Sequence, residues 1–229
     1  MIELGDVGPD GTAFVEALPA DPDEARELLE HTVARLDPKP SRLEYVLDVP
    51  HPEKQVLLER LGFELARVTR RWEWRRGTAM PAVEDRLRYR TVERGELEEA
   101  IARIAEHSLD RRLDPGEAQR QAALLLGLEH EPGWYELAFA DDGGVVGLLA
   151  AARVQSWPIV ALIGVVPEHR GRGHALRLLA RATRHLAQAG AKIIRADTDV
   201  LNEPMAKAFR RAGYEQFATR SEYVCILKA

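Results

Sequence analysis

The stretch Gly164–Ala180, GVVPEHRGRGHALRLLA, restricts the fold more than any other part of the chain. The run leading into it, PIVALIGVV from Pro158 to Val166, carries no charge and reads as a buried strand. A basic turn with two glycines follows, and an amphipathic helix (HALRLLARATRHLAQAG) starts at once and ends at Gly190. A second buried run, AKIIRADT from Ala191 to Thr198, supplies another strand. Strands alternating with helices of this kind place the chain among mixed α/β folds.

The flanking sequence extends this pattern. RLRYRTV (Arg86–Val92) alternates like a strand. Leu97, Ile101, Ile104 and Ser108 share one face of a helix. Asp114, Pro115 and Glu117 form the N-cap, first turn and capping box of the next helix. WYELAFA and VVGLLAAARV flank the Asp141–Gly144 turn as a hairpin. Asn202 caps a helix that ends at Gly213, and YEQFATR and EYVCILK are expected to close the chain as a strand pair. The predicted order over residues 86–229 is βααββ-β-α-β-α-ββ.

The first 76 residues read as strand, helix, strand, helix and one or two further strands. Leu57–Trp74 lies over Ala208–Cys225 without a gap, pairing Gly62 with Gly213, Phe63 with Tyr214, Trp72 with Tyr223 and His51 with Asn202. The match points to an internal duplication. The polar, proline-containing segment Gly77–Asp85 then separates a truncated unit, 1–76, from a complete one, 77–229. The two copies differ before their first helix. Pro19–Glu24 (PADPDE) is acidic and has no glycine turn.

Charge bounds the partners. A net charge of −5 over 229 residues argues against a general nucleic-acid or membrane surface, so any anion site is local. The single cysteine, Cys225, forms no internal disulfide and reads as a small buried hydrophobe. No leader pattern and no long apolar run is present, and a cytoplasmic protein is expected. The histidines show no metal-ligand spacing, and no metal is expected.

The glycine turn has the chemistry of an anion site. A helix start leaves four N–H groups without intrahelical partners, and the helix dipole favours negative charge there. Gly171 and Gly173 permit positive φ and close approach, while Arg170 and Arg172 add charge-assisted donors. No Gly-Lys-Ser/Thr follows, so this is not a P-loop. A tight turn with solvated arginines is the plainer account of the same residues.

Arg170-Gly171-Arg172-Gly173-His174-Ala175, preceded by VVPEH, resembles the Arg/Gln-x-x-Gly-x-Gly/Ala motif of the GNAT (GCN5-related) N-acetyltransferases. NEPMAKAFRRAGYE resembles the same family's second motif, and the element order of residues 86–229 resembles its whole fold. The resemblance implies a central mixed sheet flanked by helices, here in tandem with a degenerate N-terminal unit. It implies acetyl transfer from acetyl-CoA, as co-substrate, to a primary amine by direct attack. Backbone N–H groups of Arg170, Gly171, Arg172, Gly173, His174 and Ala175 would cradle the pyrophosphate. Val165 and Val166 would pair with the pantetheine arm between two splayed strands, with the Val165 amide as oxyanion donor. Asn202 would contact CoA or simply cap its helix.

This sequence departs from the family pattern at two places. Ile159 stands where many relatives carry a glutamate base, and Phe209, counted among the CoA contacts, stands where many carry a tyrosine acid. Asp197 and Asp199 become the candidate bases, with loop capping or pairing with Arg195 as the alternative, and Glu136 is a weaker candidate. Tyr214 and Tyr223 are substitute acids or core residues. Arg177, Arg181 and Arg184 read as a solvated stripe. The acceptor is expected against the first two helices, the Ser108–Pro115 loop with Arg111 and Arg112, and Gln155–Ile159, where Trp157 and Tyr135 line an apolar pocket. The expected function is N-acetylation of a small-molecule amine, with a peptide Nα-acetyltransferase or a non-catalytic acyl-CoA module as alternatives. No nucleic acid or membrane partner is expected, and a homodimer is left open.

Overall fold

The computed structural model describes residues 3–8, 10–80, 87–91, 94–106, 108–110 and 115–227. It resolves into two compact units, one of residues 1–70 with 218–229, the other of residues 71–217. The division therefore does not follow the 76/77 boundary. It passes through two long strands, β4 (Glu64–Arg75) and β10 (Glu215–Ile226). β10 is one strand where a pair was expected. No glycine or proline interrupts it, and Ser221 at its middle is buried.

The first unit contains β1 (Glu3–Leu4), β2 (Thr12–Ala17), α1 (Pro22–Arg35), β3 (Arg42–Leu47) and α2 (Pro52–Arg60). β2 and β3 run parallel, and β3 pairs antiparallel with Ser221–Ile226 of β10. Its core joins Val15, Leu29, Leu43, Leu58, Phe63 and Tyr223. Cys225 packs half-buried against this core, and burial with the nearby Glu64 pushes its thiol pKa up.

The second unit holds β5 (Arg88–Thr91), α3 (Arg94–Glu106), α4 (Pro115–Leu126), β6 (Tyr135–Phe139), β7 (Val145–Val154), β8 (Trp157–Val165), α5 (His174–Gln188), β9 (Ile193–Asp199) and α6 (Glu203–Arg211). The strand order β4-β9-β8-β7-β6-β5 makes a mixed sheet, with β8 and β9 parallel and β5 to β8 antiparallel. Helices cover both faces. A Cβ on Gly147 would strike Leu178 of α5, whereas a Cβ on Gly164 would overlap Ile104 of α3. Gly164 sits opposite Leu148, the neighbour of Gly147, so α3 and α5 lie on opposite sides.

This contact also sets the role of Gly164. The glycine is required by close approach of α3. A bulge lies elsewhere, at Ala161, which the register skips between Val160↔Ala151 and Leu162↔Ala150. A Gly164→Val substitution is expected to destabilise the fold by about 1–3 kcal/mol through overpacking against Ile104. Urea unfolding measures this, and an unchanged midpoint would show that α3 yields freely.

Candidate active site

Two strands and one turn build the site. β8 and β9 run side by side, but among the described residues their ladder is limited to Ile159↔Arg195. Beyond that pair β8 continues to Val165 against β7 alone. Val166 donates its N–H to the Val146 carbonyl at 3.0 Å, which makes Val166–Val146 a hydrogen-bonded pair. In an antiparallel ladder such pairs alternate with non-bonded ones. Val165–Gly147 is therefore non-bonded, and the N–H and C=O of Val165 point away from β7, toward the side where β9 has parted. Ile163, two residues earlier, has the same orientation, a consequence of register that the sequence reading missed. Val166 does not share it. Its N–H is held by Val146, and its carbonyl accepts from His169 N at 3.0 Å.

The chain then passes through a 3-10 turn, Pro167–His169, into the glycine turn. Gly171 and Gly173 have φ of 77° and 79°, the left-handed region that glycine alone occupies without strain. Gly173 is the N-cap of α5, no side chain caps the helix, and no acidic residue lies in its first turn. The other capped helices differ: Asp21, His51 and Asn202 fill the first N–H groups of α1, α2 and α6. The start of α5 thus presents the backbone of Arg172, Gly173, His174 and Ala175 with no side-chain cap over it.

The arginines divide their work. Arg170 turns back, and its Nε donates to the Val165 carbonyl at 3.1 Å, bracing the strand end against the turn. Arg172 is exposed. Its carbonyl accepts from Arg177 Nη1 at 3.2 Å, and the same Nη1 lies 3.2 Å from His174 Nδ1. Arg103 of α3 pairs with Glu168, tying the 3-10 turn to α3.

The expected acid–base residues are mostly engaged structurally. Asp199 is buried and accepts from Leu201 N at 2.8 Å, capping the loop after β9. Asp197 is 41% exposed and lies 3.5 Å from Arg71 Nε, a different arginine from the expected Arg195. Glu136 belongs to the other side of the sheet. Arg181 holds it through Nε and Nη2 at 2.5 and 2.8 Å, and His185 Nε2 adds a contact at 2.9 Å. These partners outweigh desolvation and pull its carboxyl down to about 2. Arg181 also stacks on Tyr89 at 4.1 Å, so the expected solvated stripe is partly an internal anchor.

Both tyrosines lie in hydrophobic cores. Tyr214 is buried, bonded at 2.7 Å to Thr183 Oγ1, and burial raises its pKa. Tyr223 belongs to the first unit's core. Phe209, expected among the CoA contacts, is 2% exposed, stacked on Trp72 at 5.3 Å and edge-on to Tyr214 at 5.2 Å, and so packs in the core of this unit. Asn202 is doubly used: its Oδ1 caps α6 through Met205 N at 3.1 Å and its Nδ2 donates to Asp110 Oδ1 at 2.8 Å. Asp110 itself was not foreseen. One oxygen also accepts from Thr198 Oγ1 at 3.0 Å and Asp199 N at 3.2 Å, clasping the segment after α3 to the end of β9. Arg111, Arg112 and Asp114 lie outside the described residues. Tyr135 is buried and bonds the Leu125 carbonyl, whereas Trp157 is 48% exposed.

These features match a known architecture. The model of the Acetyltransferase (GNAT) family matches residues 98–214. A GCN5-related N-acetyltransferase from Sphaerobacter thermophilus superposes with a TM-score of 0.72 at 18% identity, covering 97% of this chain and 75% of its own. A tandem GNAT protein from the clavulanic acid biosynthesis pathway gives 0.64 at 15%, covering 98% and 78%. A GCN5-related N-acetyltransferase from Kribbella flavida gives 0.64 at 21%, covering 95% and 82%. No curated protein sequence matches the chain. At these identities the structural likeness speaks for fold, while the family model covers just over half of the 229 residues and includes the glycine turn, so the chain belongs to the GNAT acetyltransferase family.

Proposed function

We propose that the chain is an N-acetyltransferase that moves the acetyl group of acetyl-CoA to the primary amine of a small molecule by direct attack in a ternary complex. One arrangement carries the reading. β8 and β9 part beyond Ile159↔Arg195, and the opened edge of β8 leads straight to the uncapped start of α5. The N–H groups from Arg172 to Ala175 hold the pyrophosphate, with Arg172 beside them. Val165 and Ile163 pair with the pantetheine arm as a neighbouring strand would. The Val165 N–H stabilises the oxyanion as the thioester carbonyl is attacked, a contribution of about 3 kcal/mol for such donors.

Direct attack is favoured by the cysteine inventory. The single thiol, Cys225, lies in the first unit with its pKa raised, which disfavours an acyl-thiol intermediate. An alkylammonium must lose a proton before it attacks. Asp197, the most exposed of the candidate carboxylates and on the α3 face, takes that role, while Asp199 fixes the loop beside it.

The assay is CoA release from acetyl-CoA, read with a thiol reagent over a panel of amines and short peptides. Turnover on small amines is expected. Turnover on peptides alone would shift the reading to a peptide Nα-acetyltransferase. Binding without turnover on any acceptor would leave an acyl-CoA module. Asp197→Asn is expected to lower kcat about 10²–10⁴-fold at neutral pH. A kcat within about threefold of the parent would exclude Asp197 as the base.

The first unit supports a duplication and explains why it holds no second CoA. His51 and Asn202, matched in the repeat, are both helix N-caps, and Gly62 and Gly213 end the two helices with φ of 84° and 82°. At the helix equivalent to α5, however, Asp21 already accepts from Asp23 N and Glu24 N at 3.1 and 2.9 Å. A carboxylate fills the site a phosphate would need, and Asp23 and Glu24 repel an anion besides. Calorimetry is expected to give one CoA per chain, and a stoichiometry of two would refute this account.

A further inference from the structure

The α3 face of the sheet carries, beside Asp197, a group of side chains that the acetyl-transfer reading above leaves without a role. Register fixes its members. Ile159 sits opposite Ala152, on the same face as Leu148 and Gly164, and Arg195 is its parallel partner. Trp157 and Asp197 share that face by alternation, while Ile194 and Ala196 are buried on the other. On β4, Trp72 stacks with Phe209 of α6, which leaves Arg71 and Glu73 on the α3 face. Phe217 joins them. Trp157 and Phe217 are 48% and 43% exposed, large aromatic surfaces left in contact with water beside the splay.

Arg195 stands between these rings. Its guanidinium carbon lies 4.4 Å from the centre of Trp157 and 5.3 Å from that of Phe217. Contact with both rings restrains the flat fork, whose donors suit bidentate recognition of a carboxylate. Its charge is under-compensated. The buried Glu73 is its carboxylate partner, at 3.5 Å through Nε, and Glu73 is shared with Arg75 at the shorter distance of 2.5 Å. The neighbouring Asp197 is engaged with Arg71. A restrained guanidinium with a half-share of one carboxylate, framed by exposed aromatic surface, is built to receive a second carboxylate. Its place is also specific: Ile159↔Arg195 is the last pair before the strands part, so Arg195 stands at the inner end of the splay.

We infer that Arg195, stacked between Trp157 and Phe217, binds a carboxylate of the acceptor, and that the acceptor class is an amine bearing a carboxylate and an apolar or aromatic side chain. The inference rests on the acetyl-transfer reading for its location. The guanidinium anchors the carboxylate, the rings cover the apolar part, and the amine is left toward the parted strands.

The test compares matched acceptors that differ by the carboxylate: L-phenylalanine against phenethylamine, and L-leucine against isoamylamine. The full chain is expected to favour the carboxylated member at least about 10-fold in kcat/KM, through acceptor KM. In Arg195→Gln that preference collapses by about 10-fold or more, while the acetyl-CoA KM stays as in the parent and reports an intact fold. Arg195→Lys, which keeps the charge but loses the planar fork, should fall between the two. A purely structural role for the stack would leave the ratio unchanged in Arg195→Gln, and that result overturns the inference, as does equal use of both members by the parent. Binding of the same pairs to the CoA-loaded chain, measured by calorimetry, separates the two claims. Selective binding of the carboxylated member, lost in Arg195→Gln, upholds the inference even if no amine is turned over, whereas absent turnover alone defeats the acetyl-transfer reading.

Discussion

Glu136→Ala is expected to lower the unfolding free energy by about 3 kcal/mol, the low end of the cost of breaking a buried ion pair. Glu136 projects from β6 with its side chain only 8% exposed, and every oxygen contact it makes is to α5: two from Arg181 and one from His185. Removing it takes away the acceptor that these three contacts share. The cost stays at the low end because Arg181 is 31% exposed and keeps its stack on Tyr89, so water replaces part of the loss. Acid unfolding supplies a second readout. The folded carboxyl, at about 2, sits below its ordinary 4.5 because it accepts from Arg181 and His185. Its stabilisation is therefore complete above pH 4.5 and is lost as pH falls from 4.5 through 2, amounting to at most about 3 kcal/mol. Urea midpoints across that range should fall less steeply in Glu136→Gln than in the parent. Equal slopes, or an alanine variant within about 1 kcal/mol of the parent, would mean that the cluster is solvated and contributes little.

That cluster also shows where sequence reading succeeds and stops. Arg177, Arg181 and Arg184 lie at helical spacing, and spacing alone describes a polar stripe. Only the position of β6 beneath α5 turns Arg181 into an anchor. A lone glutamate within the apolar WYELAFA, with Arg181 and His185 four residues apart, was the available signal. The elements fixed by local chemistry were legible: the hairpin around Asp141–Gly144, the Asn202 cap, the Gly213 stop and the two positive-φ glycines of the basic turn. Features set by contacts between distant segments were not. Ile104 explains Gly164 from sixty positions away. Ala161 carries a bulge with no glycine or proline to mark it. Asp110 gathers Thr198, Asp199 and Asn202 across some ninety residues, and the stacking of Arg195 depends on strand order. The glycine turn was local and readable, whereas the surroundings of Arg195 are assembled from tertiary neighbours.

Gly173→Val is expected to weaken acetyl-CoA binding at least about 100-fold, a change of about 2.7 kcal/mol. Gly173 caps α5 at φ 79°, ψ 9°. A left-handed conformation costs an L residue about 1–2 kcal/mol, and a β-branched one more. No steric barrier in the protein itself opposes the change, since a Cβ at Gly173 would meet nothing within 4 Å. The strain is thus relieved by moving the turn, which swings the N–H groups of Arg172 to Ala175 off their shared focus. What remains projects isopropyl carbons where the pyrophosphate must lie against the backbone. The loss in binding therefore exceeds the loss in stability, which is held to about 1–2 kcal/mol. Asp21→Ala in the first unit is the converse. It removes the cap of α1 and costs about 1 kcal/mol of stability. It leaves acetyl-CoA affinity unchanged, because α1 retains Asp23 and Glu24 in its first turn and has no glycine turn before it. Calorimetric titration of both variants tests the pair of expectations. An affinity for Gly173→Val within about threefold of the parent would show that CoA is held elsewhere than at the start of α5, since no ligand that uses those N–H groups survives their displacement.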